Sequence, residues 1–336
     1  MSTADVVWMV GPPFLLLNGV IAFITYLTLL ERKFAARLQS RVGPYRVGRP
    51  HGWLQPIADA LKLMLKEDIV PTSADRWVYN LAPLVFLVPA FLMYAAIPFA
   101  PRLQLASLDI GLLFVLAVSS LEVVGLFMCG WGSNNKYALL SAMRAVNQII
   151  SYEVPFVLVA LVPAVLAGSL RLETLVDAQR GLWAGFYPQW FVFYPILGPL
   201  TAVAFLVVAL ASENRIPFDI VEAESELVAG FRVEYSGMKF ALIQLAEFTH
   251  LFGVACLGTL LFLGGWLGPG PAGLGPVWFI LKAVLVFLLI VWIRWSFLRI
   301  RVDQILALSL KLFLPASLAL LLAAGALAAA RGGAGG

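Results

Sequence analysis

The stretch Ala211–Gly237, ASENRIPFDIVEAESELVAGFRVEYSG, holds Glu213, Asp219, Glu222, Glu224, Glu226 and Glu234 between two apolar runs, 191–212 and 238–264. Each flanking run has about the 20 residues that a helix needs to cross a hydrocarbon core of about 30 Å. So many carboxylates cannot lie in lipid, so the stretch is a loop at a membrane surface, and the runs on either side cross the membrane. Lipid offers backbone amides no partners, which makes those crossings helices.

The rest of the chain agrees. Of its 336 residues 61% are hydrophobic and only 12% charged, and the mean hydropathy is +0.92, values that exclude an ordinary soluble domain. Apolar windows of crossing length fall near 10–30, 79–100, 108–131, 142–168, 191–212, 238–264, 276–298 and 304–329. The expected fold is an all-α integral membrane protein, one membrane domain over 1–336 with eight transmembrane helices. The first window lacks a basic leader and a small-residue cleavage site, so it is expected to stay as a span rather than be removed as a signal peptide.

Basic residues orient the bundle. Arg32, Lys33, Arg37, Arg41, Arg46, Arg49, Lys62, Lys66 and Arg76 follow the first window, Lys136 and Arg144 the third, Arg215, Arg232 and Lys239 the fifth, and Arg294, Arg299 and Arg301 the seventh. The other side has Arg102, Arg171, Arg180 and Arg331. By the positive-inside rule the acidic loop, 213–237, faces the cytoplasm and both termini face outward.

Within the first basic loop, residues 53–66 read as an amphipathic helix lying at the cytoplasmic interface. At 100° per residue Trp53, Leu54, Ile57, Leu61, Met64 and Leu65 share one arc, opposite Gln55, Asp59, Lys62 and Lys66. The segment is too short to span and suits a surface anchor or one wall of a slot open to lipid. Ionisable residues recur inside the windows: Glu122, Glu153, Glu247, His250, Lys282 and Lys311. These are costly in lipid and point either to buried ion pairs, such as Glu153 with Arg144 or Glu247 with Lys282, or to a wet proton path. In the acidic loop, charges interleave with Ile216, Pro217, Phe218, Ile220, Val221, Leu227, Val228 and Phe231. Crowded carboxylates hold protons that a nearby change of charge can shift. The two cysteines lie far apart, and no CxxC, HExxH or glycine-rich nucleotide loop occurs, so any redox centre is expected on another chain.

Glu31-Arg32-Lys33, Arg41-Val42-Gly43-Pro44, LQPIADALKLMLKEDIVP (54–71), SNNKYALL (133–140), ISYE (150–153), NRIPFD (214–219), ESELVAGF (224–231), VEYSG (233–237), Ala246-Glu247 and Asp303-Gln304 resemble, in order and almost end to end, the quinone-site membrane subunit of respiratory complex I. That family has bacterial and mitochondrial members.

The resemblance implies a membrane subunit of a proton-pumping NADH-quinone oxidoreductase in the bacterial inner membrane. Its substrate would be a quinone, ubiquinone or menaquinone. Flavin and iron–sulfur clusters would sit on partner subunits: the peripheral arm would carry the terminal cluster and the headgroup site, with small membrane subunits and antiporter-like subunits alongside. It implies a quinone chamber lined or bordered by Arg32, Arg41, Asp59, Asp219, Glu222, Glu224, Glu226, Phe240 and Arg294, and a proton path through Glu122, Glu153, Glu213, Glu234 and Glu247. The alternatives are the corresponding subunit of a membrane-bound hydrogenase or ferredoxin-linked complex, and a stand-alone ion transporter.

The chain departs from the family pattern at Ser212-Glu213-Asn214-Arg215, where Glu-Thr-Asn-Arg is usual. The glutamate is moved by one position, about 100° on a helix. Ala223, Tyr45 and Leu298 also depart, standing where glycine, asparagine and proline are usual.

Overall fold

A computed structural model of the chain describes residues 3–101, 103–183, 187–221 and 230–332. Glu222, Glu224 and Glu226 lie outside the described residues. The helices are α1 (Thr3–Leu38), α2 (Gln55–Leu65), α3 (Arg76–Leu92), α4 (Gly111–Ser120), α5 (Glu122–Gly132), α6 (Lys136–Ala167), α7 (Leu172–Asp177), α8 (Leu197–Ser212), α9 (Gly237–Phe262), α10 (Gly275–Ser296), α11 (Val302–Leu308) and α12 (Leu314–Gly332). The only named strands among the described residues are Leu182–Trp183 and Tyr187–Pro188, paired antiparallel.

Seven stretches are long and apolar enough to cross a membrane. One of them joins α4 to α5 and another runs from α11 into α12. The 16-residue α8, in the expected fifth window, is a shorter apolar helix: at one end it leads to the acidic loop, and at the other to a segment anchored beside the C-terminus of α9. It is shorter than the apolar window because Pro195 and a 3-10 turn at Phe191–Phe193 keep the chain out of the helix until Leu197. At 1.5 Å per residue, α8 alone reaches about 24 Å.

Mostly apolar, α9 is the central helix, buried without interruption from Phe248 to Phe262. It joins two cores. One gathers Ile24, Leu112, Tyr152, Phe205, Phe252 and Phe287; the other gathers Tyr79, Phe86, Leu126, Ala145, Phe231 and Ile243. In lipid, close helix packing depends on small residues at the contact. At Gly125 a Cβ would come within 2.5 Å of the Phe86 backbone, so a larger residue there forces α3 and α5 apart.

Two helix irregularities have identifiable causes. Pro155 in α6 leaves the Ser151 carbonyl without its helical donor, and Ser309 Oγ donates to it at 2.6 Å. Ser309 opens a π-helical turn, Ser309–Phe313, between α11 and α12, so the distortion of one span satisfies the distortion of another. The α4–α5 span breaks at Leu121, after Ser119 and Ser120, whose hydroxyls bond back to the carbonyls of Leu116 and Ala117. Glu122 is therefore the first residue of α5, where the helix dipole favours a carboxylate.

The four odd-numbered loops meet at one end of the bundle. Ser236 Oγ donates to Glu67 O at 3.2 Å, Asn134 Nδ2 to Ser73 O at 2.8 Å, and Ile300 N to Pro217 O at 3.0 Å. At the opposite end Gln179 joins Leu260 O and Gly264 N, and Arg171 reaches Ser107 and Asp109.

Lys282 belongs to that opposite end. Its ammonium donates to the carbonyls of Leu263, Gly265 and Leu267 at 2.7, 3.1 and 2.5 Å and lies 4.1 Å from the Trp190 ring centre. This corrects the pairing with Glu247: Lys282 closes the carbonyl end of α9, where a cation suits the helix dipole. Lys311 is exposed on the π-helical turn. Lys282→Met should lower the amount of folded protein that detergent extraction and size-exclusion chromatography recover from the membrane, since it strips hydrogen bonds to a charged donor worth about 1.5–3 kcal/mol each.

Candidate quinone and proton site

The acidic loop is held by its apolar residues, and its charges follow. After Ser212 the chain turns back through Asn214, at φ +49, and Arg215 N donates to Leu210 O at 3.1 Å. Phe218, Ile220 and Val221 are buried, which carries Arg215 and Asp219 into the protein with them. Gly230, at φ +67, lies against Val221 O, which also accepts from Ser141 Oγ at 3.0 Å; a Cβ at Gly230 would sit 2.5 Å from that oxygen. Only glycine fits this conformation and this approach.

The VEYSG run fastens the loop to the segment after α2. Tyr235 stacks on Tyr79 with ring centres 4.3 Å apart, Lys239 pairs with Asp68 at 2.8 Å, and Ile69 N donates to Ser236 Oγ at 3.2 Å. Glu234 accepts from Asn135 Nδ2 at 2.6 Å through its carboxylate and from Tyr79 OH at 2.7 Å through its backbone carbonyl. Burial raises the Tyr235 phenol above its ordinary pKa, so it remains a donor, bonding Tyr79 O at 3.2 Å.

Behind the loop lies a small cavity of about 30 Å³ whose lining includes Glu122, Glu213, Asn214, Arg215, Phe231 and Glu247, room for about one water. Glu247 Oε2 faces Arg232 Nη1 at 3.0 Å and Arg215 Nη2 at 3.8 Å. Arg232 also donates to Gln244 Oε1 at 2.9 Å and lies 5.8 Å from the ring of half-buried Phe240. Glu122 Oε2 and Glu213 Oε1 both approach His250 Nδ1, at 2.8 and 2.7 Å. The one-residue shift therefore does not turn Glu213 away. α8 ends at Ser212, Glu213 is the capping residue that follows, and the 100° rotation expected on a continuous helix does not apply.

Toward α1 and α2, Arg32 pairs with Asp59, which also accepts from Gln55 Nε2 at 2.9 Å. One residue earlier, buried Glu31 accepts from Arg294 Nη1 at 2.6 Å. Asp219 faces Arg299 at 3.6 Å. Burial raises its carboxyl above the ordinary range, and Arg299, Arg215, Arg294 and Arg232 pull it back. Arg41 sits apart on the exposed turn after α1, donating to Gln39 Oε1 at 2.7 Å. Glu153 is half-buried on α6 and makes no ion pair among the described residues.

The structure thus brings Glu122, Glu213 and Glu247 around one cavity, pairs Arg32 with Asp59 and sets Arg294 on Glu31, while Arg41 and Glu153 stand outside these contacts. Arg215 and Arg232, which read in the sequence only as orientation signals, are the counter-charges of Glu247. Asn135, the carboxylate partner of Glu234, carried no sequence signal beyond its place in SNNKYALL.

Residues 13–325 match the family model described as NADH dehydrogenase. The chain is 49% identical over 306 residues to the H subunit of NADH-quinone oxidoreductase from Dehalococcoides mccartyi (strain CBDB1), covering 91% of this chain and 82% of that protein. It is 48% identical over 309 residues to the protein of the same name from Geobacillus kaustophilus (strain HTA426), covering 90% and 89%. It is 44% identical over 322 residues to that of Geobacillus sp. (strain WCH70), covering 94% and 93%. With seven described stretches long and apolar enough to cross a membrane and a match over nearly its whole length, the chain belongs to the NADH dehydrogenase family of membrane proteins, which includes the H subunit of NADH-quinone oxidoreductase.

Proposed function

We propose that this chain forms the membrane wall of a quinone chamber and the first part of a proton path in an NADH-quinone oxidoreductase. The observation that carries the reading is the Arg32–Asp59 pair where α1 meets α2. The apolar side chains Leu54, Ile57, Leu61, Met64 and Leu65 of and beside α2 are exposed. A quinone joins a polar headgroup to an apolar tail, and this junction offers polar groups beside a surface that the tail can follow out into lipid.

Asp219, Phe240, Arg294 and the acidic residues Glu222, Glu224 and Glu226 complete the chamber's border, with Arg41 at its rim. Electrons arrive from an iron–sulfur cluster on a peripheral partner, which is reduced through flavin. Reduction of the quinone takes up protons and changes the charge facing the acidic loop. Glu234, Glu247, Glu213, Glu122 and Glu153 pass that change toward antiporter-like partners. The odd loops face the cytoplasm and both termini lie on the outer side of the inner membrane, in keeping with the basic residues.

Asp59→Asn tests the chamber. Quinone reduction by the assembled complex should fall about tenfold or more, a loss of ~1.4 kcal/mol in barrier terms, while the peripheral arm still reduces a soluble acceptor at the normal rate. Equal loss of both activities would assign Asp59 to assembly instead.

A further inference from the structure

We infer that His250 carries the proton between Glu122 and Glu213, and that it does so through a single ring nitrogen; this rests on the proton-path reading above. Glu122 Oε2 and Glu213 Oε1 lie 2.8 and 2.7 Å from the same atom, Nδ1. One N–H well aligned on one acceptor is poorly aligned on a second. Accordingly Glu213 Oε1 has no aligned hydrogen bond, and Nε2 has no partner either. The side chains are only 8, 13 and 4% exposed for His250, Glu122 and Glu213, so bulk water does not exchange protons with them directly. The water-sized cavity bordered by both carboxylates, Arg215 and Glu247 is their neighbour.

Two carboxylates and an imidazole buried together cannot all be unprotonated without isolating negative charge, so the three groups share protons. The step balances simply. With His250 neutral and its hydrogen on Nε2, protonated Glu122 gives its proton to Nδ1, leaving a carboxylate and an imidazolium. Nδ1–H then gives that proton to the Glu213 carboxylate, and the ring returns to its starting tautomer. A relay that uses both ring nitrogens must flip the ring or exchange tautomers before the next transfer. Here the donor and the acceptor address one nitrogen, so a small tilt of the ring resets it. The break at Leu121 puts Glu122 at a helix start, and Glu213 caps the end of α8. Both carboxylates are therefore held by helix ends against the same nitrogen of His250, which is fixed on the central helix.

The opposing possibility is that His250 is a fixed imidazolium that only holds the carboxylates together. His250→Gln removes both charge and titration, whereas His250→Lys keeps a cation between the carboxylates without an imidazole's exchange chemistry. The test measures proton translocation and quinone reduction by the assembled complex in vesicles, alongside complex content and soluble-acceptor reduction, for both variants and for Glu122→Gln. Coupled turnover should fall by about a hundredfold in both His250 variants, the low end for loss of a proton-exchanging group, with soluble-acceptor reduction intact. If the Gln variant does not assemble, the Lys variant decides alone. Normal turnover in His250→Lys overturns the inference in favour of a fixed bridge. Loss in Glu122→Gln with both His250 variants normal also overturns it and leaves the proton path standing. Normal turnover in all three variants overturns both.

Discussion

Glu247→Gln should lower coupled quinone reduction in the assembled complex by about a hundredfold, the cost of removing a proton-exchanging group. The substitution keeps the side-chain shape but removes the charge that faces Arg232 at 3.0 Å and Arg215 at 3.8 Å. Two guanidiniums are then left close together in a buried site without their shared counter-charge, which costs heavily in low dielectric. Arg232 keeps Gln244 Oε1, and Arg215 keeps the face of Phe248 at 5.3 Å, so the fold has other holds on both. The loss should therefore appear in coupled turnover far more than in complex content. Measuring proton uptake by vesicles against complex content and soluble-acceptor reduction separates the two; unchanged pumping would take Glu247 off the path.

Arg294→Ala should destabilise the packing of α1 against α10 by about 3–5 kcal/mol, because it leaves the buried carboxylate of Glu31 with no partner charge. Glu31 accepts from Arg294 Nη1 at 2.6 Å, and its other oxygen has no hydrogen bond, so the remaining charge would have nothing to lean on. Complex content, read by native electrophoresis, should collapse. The double variant Glu31→Met, Arg294→Met removes both charges for apolar groups of similar length, and content should recover, since paired removal of a buried ion pair is often close to neutral. If Arg294 also borders the chamber, the recovered complex should reduce quinone at least about tenfold more slowly. Full activity in the double variant would make the pair purely structural.

These two sites show how much the sequence could tell. The charges that orient the odd loops also mark the end where those loops meet, because the rule concerns which segments avoid lipid and needs no coordinates. Proline's missing N–H is a covalent fact, so Pro155 by itself implies a freed Ser151 carbonyl in any helix through it. Its partner, Ser309, sits 158 positions away and had no mark. Lys282 shows the opposite case. A lysine in an apolar window looks the same whether it moves protons or closes a helix end, and its partners are backbone carbonyls that no side-chain pattern displays. Glu213 was harder to read for a geometric reason: a helical phase argument requires the helix to continue, and α8 stops one residue earlier. The His250 contacts depend on three helices converging, so Glu247 and His250 in one apolar window marked ionisable groups without naming what they meet.

The coupling scheme places the reacting quinone beside α2, at the end of the bundle that holds the acidic loop. The opposite half has its own apolar cleft, about 680 Å³, lined by Leu15, Leu16, Val20, Phe23, Phe99 and Phe252 among others, so an apolar molecule has two places to go. The most direct measurement is photolabelling of the assembled complex by a quinone carrying a photoreactive group on its ring, followed by peptide mapping of this chain. Labels at Arg32 and within Ala58–Leu65, suppressed by excess unmodified quinone and lost in Asp59→Asn, are the predicted result. Suppressible labels confined to Leu15–Phe23, or none in this chain at all, would contradict it.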